Sequence, residues 1–113
     1  MNFIKSKKMK KGYKAEWEAK KILFKKYSKD SIFKVAIGGA VDFFILGKGG
    51  KVEKIVEVKK TNKNQWYPTE HDKKQYQALS KIQKKFDIPV EYWIKIKGKW
   101  NFLNLHEVKQ FFK

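Results

Sequence analysis

The chain predicts an α/β fold: one small domain in which a mixed central sheet of about five strands is flanked by helices. Two segments carry apolar residues at helical spacing, around 11–28 and 70–86, and they alternate with short strand-like runs. Those runs, at 32–37, 41–46, 52–60, 90–96 and 100–105, are rich in β-branched and aromatic residues. Size adds the third constraint, because 113 residues suffice for one core and fall short of two. With 42% apolar and 16% aromatic residues, that core can be filled, which argues against wholesale disorder.

Residues 1–9 form a basic arm, and 10–113 form the domain. From Lys11 to Ser28 the residues Gly12, Ala15, Glu16, Ala19, Ile22, Leu23 and Lys26 share one helical stripe. Its small members allow close approach to a sheet, whereas Glu18 points away, toward solvent. Ile32–Ile37 reads as a strand and Gly38-Gly39 as a turn. Val41–Leu46 is a nearly continuous apolar run, as in a strand covered on both faces. The glycine-rich stretch Gly47–Lys51 returns the chain as a hairpin into Val52–Lys60, making these two strands antiparallel neighbours.

A polar loop, Thr61–Thr69, holds Trp66, Tyr67 and Pro68. Thr69 then serves as N-cap of a helix over Glu70–Phe86, with Tyr76, Leu79, Ile82 and Phe86 at helical spacing and Glu70 and Asp72 suiting the first-turn dipole. Asp87-Ile88-Pro89 ends it. Val90–Ile96 and Trp100–Leu105 flank a turn at Lys97-Gly98-Lys99, and His106–Lys113 make one or two helical turns.

Composition narrows the partners. The formal net charge is +17, and every strongly basic residue is lysine. Lysine lacks the bidentate fork that reads guanine edges, so the charge suits phosphate backbones more than base sequence. An anionic polymer is the expected partner. A membrane surface is the main competitor, but no isolated amphipathic helix supports it. No apolar run approaches the roughly 18 residues of a membrane span. The basic start has no apolar stretch behind it, which argues against a signal peptide and for an intracellular, cytoplasmic setting. Absence of cysteine removes disulfides and thiolate metal sites.

Three residues stand out against this background: Asp42 in the apolar run, then Glu57 and Lys59 in Ile55-Val56-Glu57-Val58-Lys59. Burying a carboxylate costs several kcal/mol unless a partner or metal compensates it. Strand periodicity puts Glu57 and Lys59 on one face, and the hairpin brings Asp42 beside them. Such a patch suits a divalent cation and a phosphodiester. Asp42, Glu57 and the Val58 carbonyl are the expected metal ligands, and Lys59 would steady the attacking water or the developing charge. Glu16, on the small-residue stripe, would hold a metal-bound water or a second cation. A surface ion pair between Glu57 and Lys59, with Asp42 capping a turn, is the plainer alternative. Lys8, Lys10, Lys11, Lys34, Lys60, Lys63, Lys73 and Lys74 are the expected phosphate contacts. Trp66 and Tyr67 could stack on an unpaired base, although such a pair more often covers a domain edge or a dimer contact. Phe111-Phe112 is expected to pack on the sheet or on a second subunit. His71 and His106 are isolated, and Gly47–Lys51 lacks the spacing of a nucleotide-binding loop.

Lys11-Gly12 followed by Glu16, then Val41-Asp42, then Glu57-Val58-Lys59 resembles the archaeal Holliday-junction resolvases of the Hjc type, within the PD-(D/E)XK nuclease superfamily. The resemblance extends through Lys60-Thr61, Trp66-Tyr67, Ile88-Pro89 and Lys97-Gly98, and spans roughly residues 10–105. It implies a restriction-endonuclease-like fold and a homodimeric, Mg²⁺-dependent endonuclease, with Mn²⁺ able to substitute, that nicks four-way DNA junctions symmetrically. Glu16, Asp42, Glu57 and Lys59 would be its catalytic residues. The chain departs from the pattern at 34–40, which has neither the serine nor the arginine of that family, and at Val41, which replaces the superfamily's nominal proline. Two other readings stay open: a nuclease of the same superfamily acting on duplex or single strands, and a basic DNA-binding protein that keeps the fold without catalysis.

Overall fold

The computed structural model describes residues 11–34 and 42–112. The basic arm, the expected Gly38-Gly39 turn and the strand positions 35–37 lie outside the described residues. Helix α1 is Lys11–Lys26, followed by strands β1 (Ile32–Lys34), β2 (Phe43–Leu46) and β3 (Val52–Thr61). Helix α2 is Glu70–Phe86, then come β4 (Val90–Ile96), β5 (Lys99–Asn104) and a short α3 (Leu105–Val108). The sheet order is β1-β2-β3-β4-β5. Among the described residues only β3 and β4 run parallel, and α2 makes the crossover between them. A single small α/β domain with a mixed five-stranded sheet is therefore observed.

Two apolar layers sandwich the sheet. Ala15, Ala19 and Leu23 of α1 bury against Phe43, Ile45, Val56, Val58 and Trp93 on one face. Two alanines let the helix sit close to the strands. On the other face Leu79 of α2 and Leu105 and Val108 of α3 pack with Ile55, Trp66, Val90, Tyr92 and Ile94. This alternation along β3, with Ile55 on one side and Val56 on the other, fixes which way Glu57 and Lys59 point.

The local signals act as their chemistry dictates. Thr69 caps α2 in a reciprocal box: its hydroxyl accepts from the Asp72 amide, and the Asp72 carboxylate accepts from the Thr69 amide. Asp87 ends the helix in the left-handed region at φ 57°. The β4–β5 turn places Lys97 and Gly98 at φ 49° and 81°, as a two-residue hairpin loop of this twist requires. Several details differ from expectation, among them three that bear on the site and its surroundings. Helix α1 stops at Lys26, because the Ser28 side chain instead accepts from the Asp30 amide and caps a 3₁₀ turn. Asp42 is a bend before β2, not a strand residue. Phe86, at helical spacing with Tyr76, Leu79 and Ile82, is 59% exposed at the last position of α2. Among the described residues no helix is long and apolar enough to cross a membrane.

Candidate active site

The site sits where β2 leaves the sheet. These strands pair antiparallel from Leu46 opposite Val52 up to Phe43 opposite Val56. Strand β3 runs on beside β4 to Thr61 opposite Ile96. At this fork the Val58 amide, which β2 no longer reaches, donates to Asp42 Oδ2 at 2.6 Å, while the Asp42 amide donates to the Val56 carbonyl at 3.3 Å. The bend thus turns the Asp42 carboxylate into the plane of the sheet, where it replaces a missing strand.

Glu57 and Lys59 project from β3 toward the N-terminal turn of α2. Glu57 is only 4% exposed, and the Lys59 ammonium lies 3.2 Å from its Oε2. The same ammonium lies 2.9 Å from Asp72 Oδ1. Asp72 is held from behind by its cap, with Oδ2 accepting from the Thr69 amide at 2.8 Å and the Thr69 hydroxyl at 3.1 Å. One turn on, the Gln75 side chain donates to the Glu57 carboxylate. Glu57 Oε1 is buried and has no hydrogen-bond partner among the described residues. From the opposite face α1 contributes Glu16, half-buried, which forms a carboxyl–carboxyl hydrogen bond with Asp42. Glu57 and Lys59 are in contact, as are Asp42 and Glu16, and Asp42 lies close enough to Glu57 and Lys59 for their charges to act on one another.

Electrostatics follow from this crowding. Burial, with Asp42 beside it, pushes Glu57 from 4.5 to about 8, although Lys59 and Gln75 oppose the shift. Burial also raises Asp42 to about 7, the Val58 amide pulling the other way and Glu16 reinforcing the rise. The Lys59 ammonium is held charged above its usual range: burial works against it, and Glu57 and Asp72 outweigh burial. Asp72 stays below the usual carboxylate range because the Thr69 amide and Lys59 overcome its burial. Tyr92, opposite Glu57 in the parallel register, has a buried hydroxyl raised by burial and by Glu57 and Asp72.

Glu57 and Asp72 thus meet one ammonium, with Asp42 near enough to act on Glu57 and Lys59 and Glu16 bonded to Asp42. Such a cluster takes up protons or a cation. Among the described residues no three His, Cys, Asp or Glu side chains form a ready metal cage. Two carboxylates and a main-chain carbonyl are nonetheless an adequate oxygen set for Mg²⁺ or Mn²⁺, which keep several waters. The unpartnered Glu57 oxygen and the raised Asp42 and Glu57 are what such a cation would relieve, so the residues fit it.

The surrounding residues divide. Lys63, Lys73 and Lys74 are exposed, and Lys60 is half-buried on the α1 face of β3. Tyr67 is 56% exposed with the Lys63 ammonium 5.5 Å from its ring centre. Trp66 requires a correction: it is 5% exposed, and its ring packs against Tyr92, Phe111 and Phe112. A core ring of this kind has no face left for a base. Phe111 and Phe112 accordingly pack within this chain. Glu18 is not simply solvated; it ion-pairs with Lys95 on β4. Lys8 and Lys10 lie outside the described residues, as do the side chains of Lys11 and Lys34. His71 and His106 are exposed.

Sequence reasoning missed Asp72 and Gln75. The spacing Thr69-x-x-Asp72 is a capping-box signature and could have marked Asp72 as an oriented carboxylate. Gln75 follows at the i+3 position of the same helix face. Comparisons with protein-family models, curated proteins and solved structures returned no match.

Proposed function

We propose that this chain is a metal-dependent DNA endonuclease with a restriction-endonuclease-like fold, resembling the Hjc-type resolvases, that acts as a homodimer on four-way junctions. The observation carrying the proposal is the buried convergence of Asp42, Glu57 and Lys59 at the strand fork, with Glu16 joining from α1. A protein that only binds DNA gains nothing by hiding carboxylates beside its lysines. Asp42, Glu57 and the Val58 carbonyl would hold Mg²⁺ or Mn²⁺, with Glu16 beside Asp42. When bound, a divalent cation there supplies charge neutralisation for a phosphate and acidifies a water.

The chain's own groups do the rest. Lys59, fixed between Glu57 and Asp72, presents a permanent positive charge where phosphate oxygens gain charge during attack. Because Asp72 is itself locked by Thr69, Lys59 reaches this position without searching rotamers. Lys60, Lys63, Lys73 and Lys74 would hold the backbone, and of the Trp66-Tyr67 pair it is the exposed Tyr67 that could meet a base. Two subunits are inferred from the need to cut two opposed strands.

The test uses labelled four-way junction, linear duplex and single strand, with Mg²⁺, wild type and Asp42→Ala. Paired nicks near the crossover, lost in the variant while binding persists, support the proposal. Equal cutting of linear duplex points to another nuclease of the superfamily. Binding without cutting in Mg²⁺ or Mn²⁺ leaves a non-catalytic DNA binder.

A further inference from the structure

Helix α1 covers the β2–β4 part of its sheet face and leaves the β5 flank open. Between that helix and the β4–β5 hairpin lies a cleft of about 360 Å³, lined by Glu18, Lys21, Ile22, Lys25, Lys95 and Trp100. Just beyond it Phe102 is 48% exposed and stacks with Trp100 at 6.3 Å and an interplanar angle of 12°. Lysines attend these rings: Lys95 lies 5.9 Å from Trp100 and Lys26 5.8 Å from Phe102. On the outer side of α1 the pattern repeats, with Lys21 4.3 Å from the half-exposed Trp17. The single carboxylate lining the cleft, Glu18, is already paired with Lys95. A surplus of ammonium groups therefore surrounds flat apolar rings.

Register ties this cleft to the strand fork. Lys60 pairs with Lys95, and Lys95 pairs with Trp100. Lys60 follows Val58, and Lys95 follows Trp93, on the face that α1 covers. A row of three residues, spaced by about 4.8 Å per strand, thus runs from the Asp42–Val58 fork to the aromatic cleft.

We infer that the α1–β5 cleft binds one unpaired DNA strand, with Trp100 and Phe102 stacking on bases and Lys21, Lys25, Lys26 and Lys60 following the phosphates. Ammonium groups alone would suit any phosphate backbone. Accessible rings beside them, Phe102 exposed and Trp100 half-buried, add something only where base faces are free, because a duplex hides its bases in the stack. A lipid surface fits less well, since Trp100 is half-buried in the cleft wall and ammonium groups flank each ring. The choice of DNA rests on the nuclease reading, but the site itself needs no catalysis.

The test is anisotropy of a short fluorescein-labelled thymidine oligonucleotide, and of a duplex of equal length, in EDTA at low salt. Lys21→Glu with Lys25→Glu should weaken single-strand binding by about tenfold, whereas Lys84→Glu with Lys85→Glu, the same charge change on exposed α2 positions, should cost less than about threefold. Trp100→Leu, with folding checked by circular dichroism, should cost about fivefold or more for the single strand and leave the duplex unchanged. Equal losses from the two double reversals, duplex binding that tracks single-strand binding, or an unaffected Trp100→Leu would each overturn the inference. Anionic vesicles that bind with the same variant dependence would assign the surface to lipid and overturn it too. Because no metal is present, a protein that never cuts DNA can still pass, and a failed cleft leaves junction cutting to be judged separately.

Discussion

Replacing Glu57 with Gln should stabilise the metal-free protein, and the gain should grow with pH. In the folded state Glu57 titrates near 8, against an ordinary value of 4.5. Between those values the folded chain holds a proton that the unfolded chain has released. This contribution to stability is fully present below about 4.5 and is lost as pH rises through about 8. At neutral pH the difference acts over about 2.5 units, which is about 3 kcal/mol at 1.36 kcal/mol per unit. The amide of the Glu57→Gln variant would carry no such term, but it would change the contact that Glu57 Oε2 makes with the Lys59 ammonium at 3.2 Å, leaving Lys59 to Asp72 at 2.9 Å. A net gain of about 2 kcal/mol is expected at neutral pH, or roughly 5–10 °C in a domain of this size. The assay is thermal unfolding in EDTA at about pH 5.5 and about pH 8.5. Both proteins should lose stability across that interval, because Asp42, raised to about 7, titrates in each, but wild type should lose more by the part that Glu57 adds, so that the two curves separate at high pH. A wild-type Tm indifferent to pH, or a variant less stable by the same amount at both values, would refute the reasoning.

The remaining expectations concern neighbours of that carboxylate. Asp72→Asn should cost about 1 kcal/mol through the weakened helix cap and should lower kcat by releasing Lys59, both readable from melts and junction kinetics; an unchanged kcat would dissociate Asp72 from the lysine's role. Trp66→Ala should destabilise by about 3–5 kcal/mol, while a folded Trp66→Phe should bind DNA as wild type does; weakened DNA binding in that variant would count against the ring's core assignment. Removing Lys63, Lys73 and Lys74 together should flatten the plot of log K against log salt by about 2–3 units; an unaltered slope would take them off the phosphate path.

Much of the architecture is legible in the residues because local chemistry decides it. Val90–Ile96 and Glu70–Phe86 have the bounds that periodicity, the Thr69 cap and the Asp87-Ile88-Pro89 stop imply. The glycine-rich turn likewise makes β2 and β3 neighbours, and parity alone puts Glu57 and Lys59 on one face. What periodicity cannot convey is where two elements meet. Asp72 and Lys59 come together only because the start of α2 docks over the far end of β3, a tertiary fact with no footprint in spacing. Trp66 looked like a loop aromatic beside a basic run, yet the C-terminal Phe111 and Phe112 close over it. Glu18 seemed to face water for the same reason: the β4–β5 hairpin that brings Lys95 to it is 77 residues further along the chain.

The most direct measurement is a Mn²⁺ titration of wild type, Asp42→Asn and Glu57→Gln, followed by calorimetry at about pH 8 in two buffers of different ionisation heat. Wild type is expected to bind the ion and to release protons as it does so, since cation and protons compete for the same raised carboxylates. Each variant is expected to lose that binding. Binding that survives in both variants, or no binding and no proton release in wild type, would contradict a metal site at the strand fork.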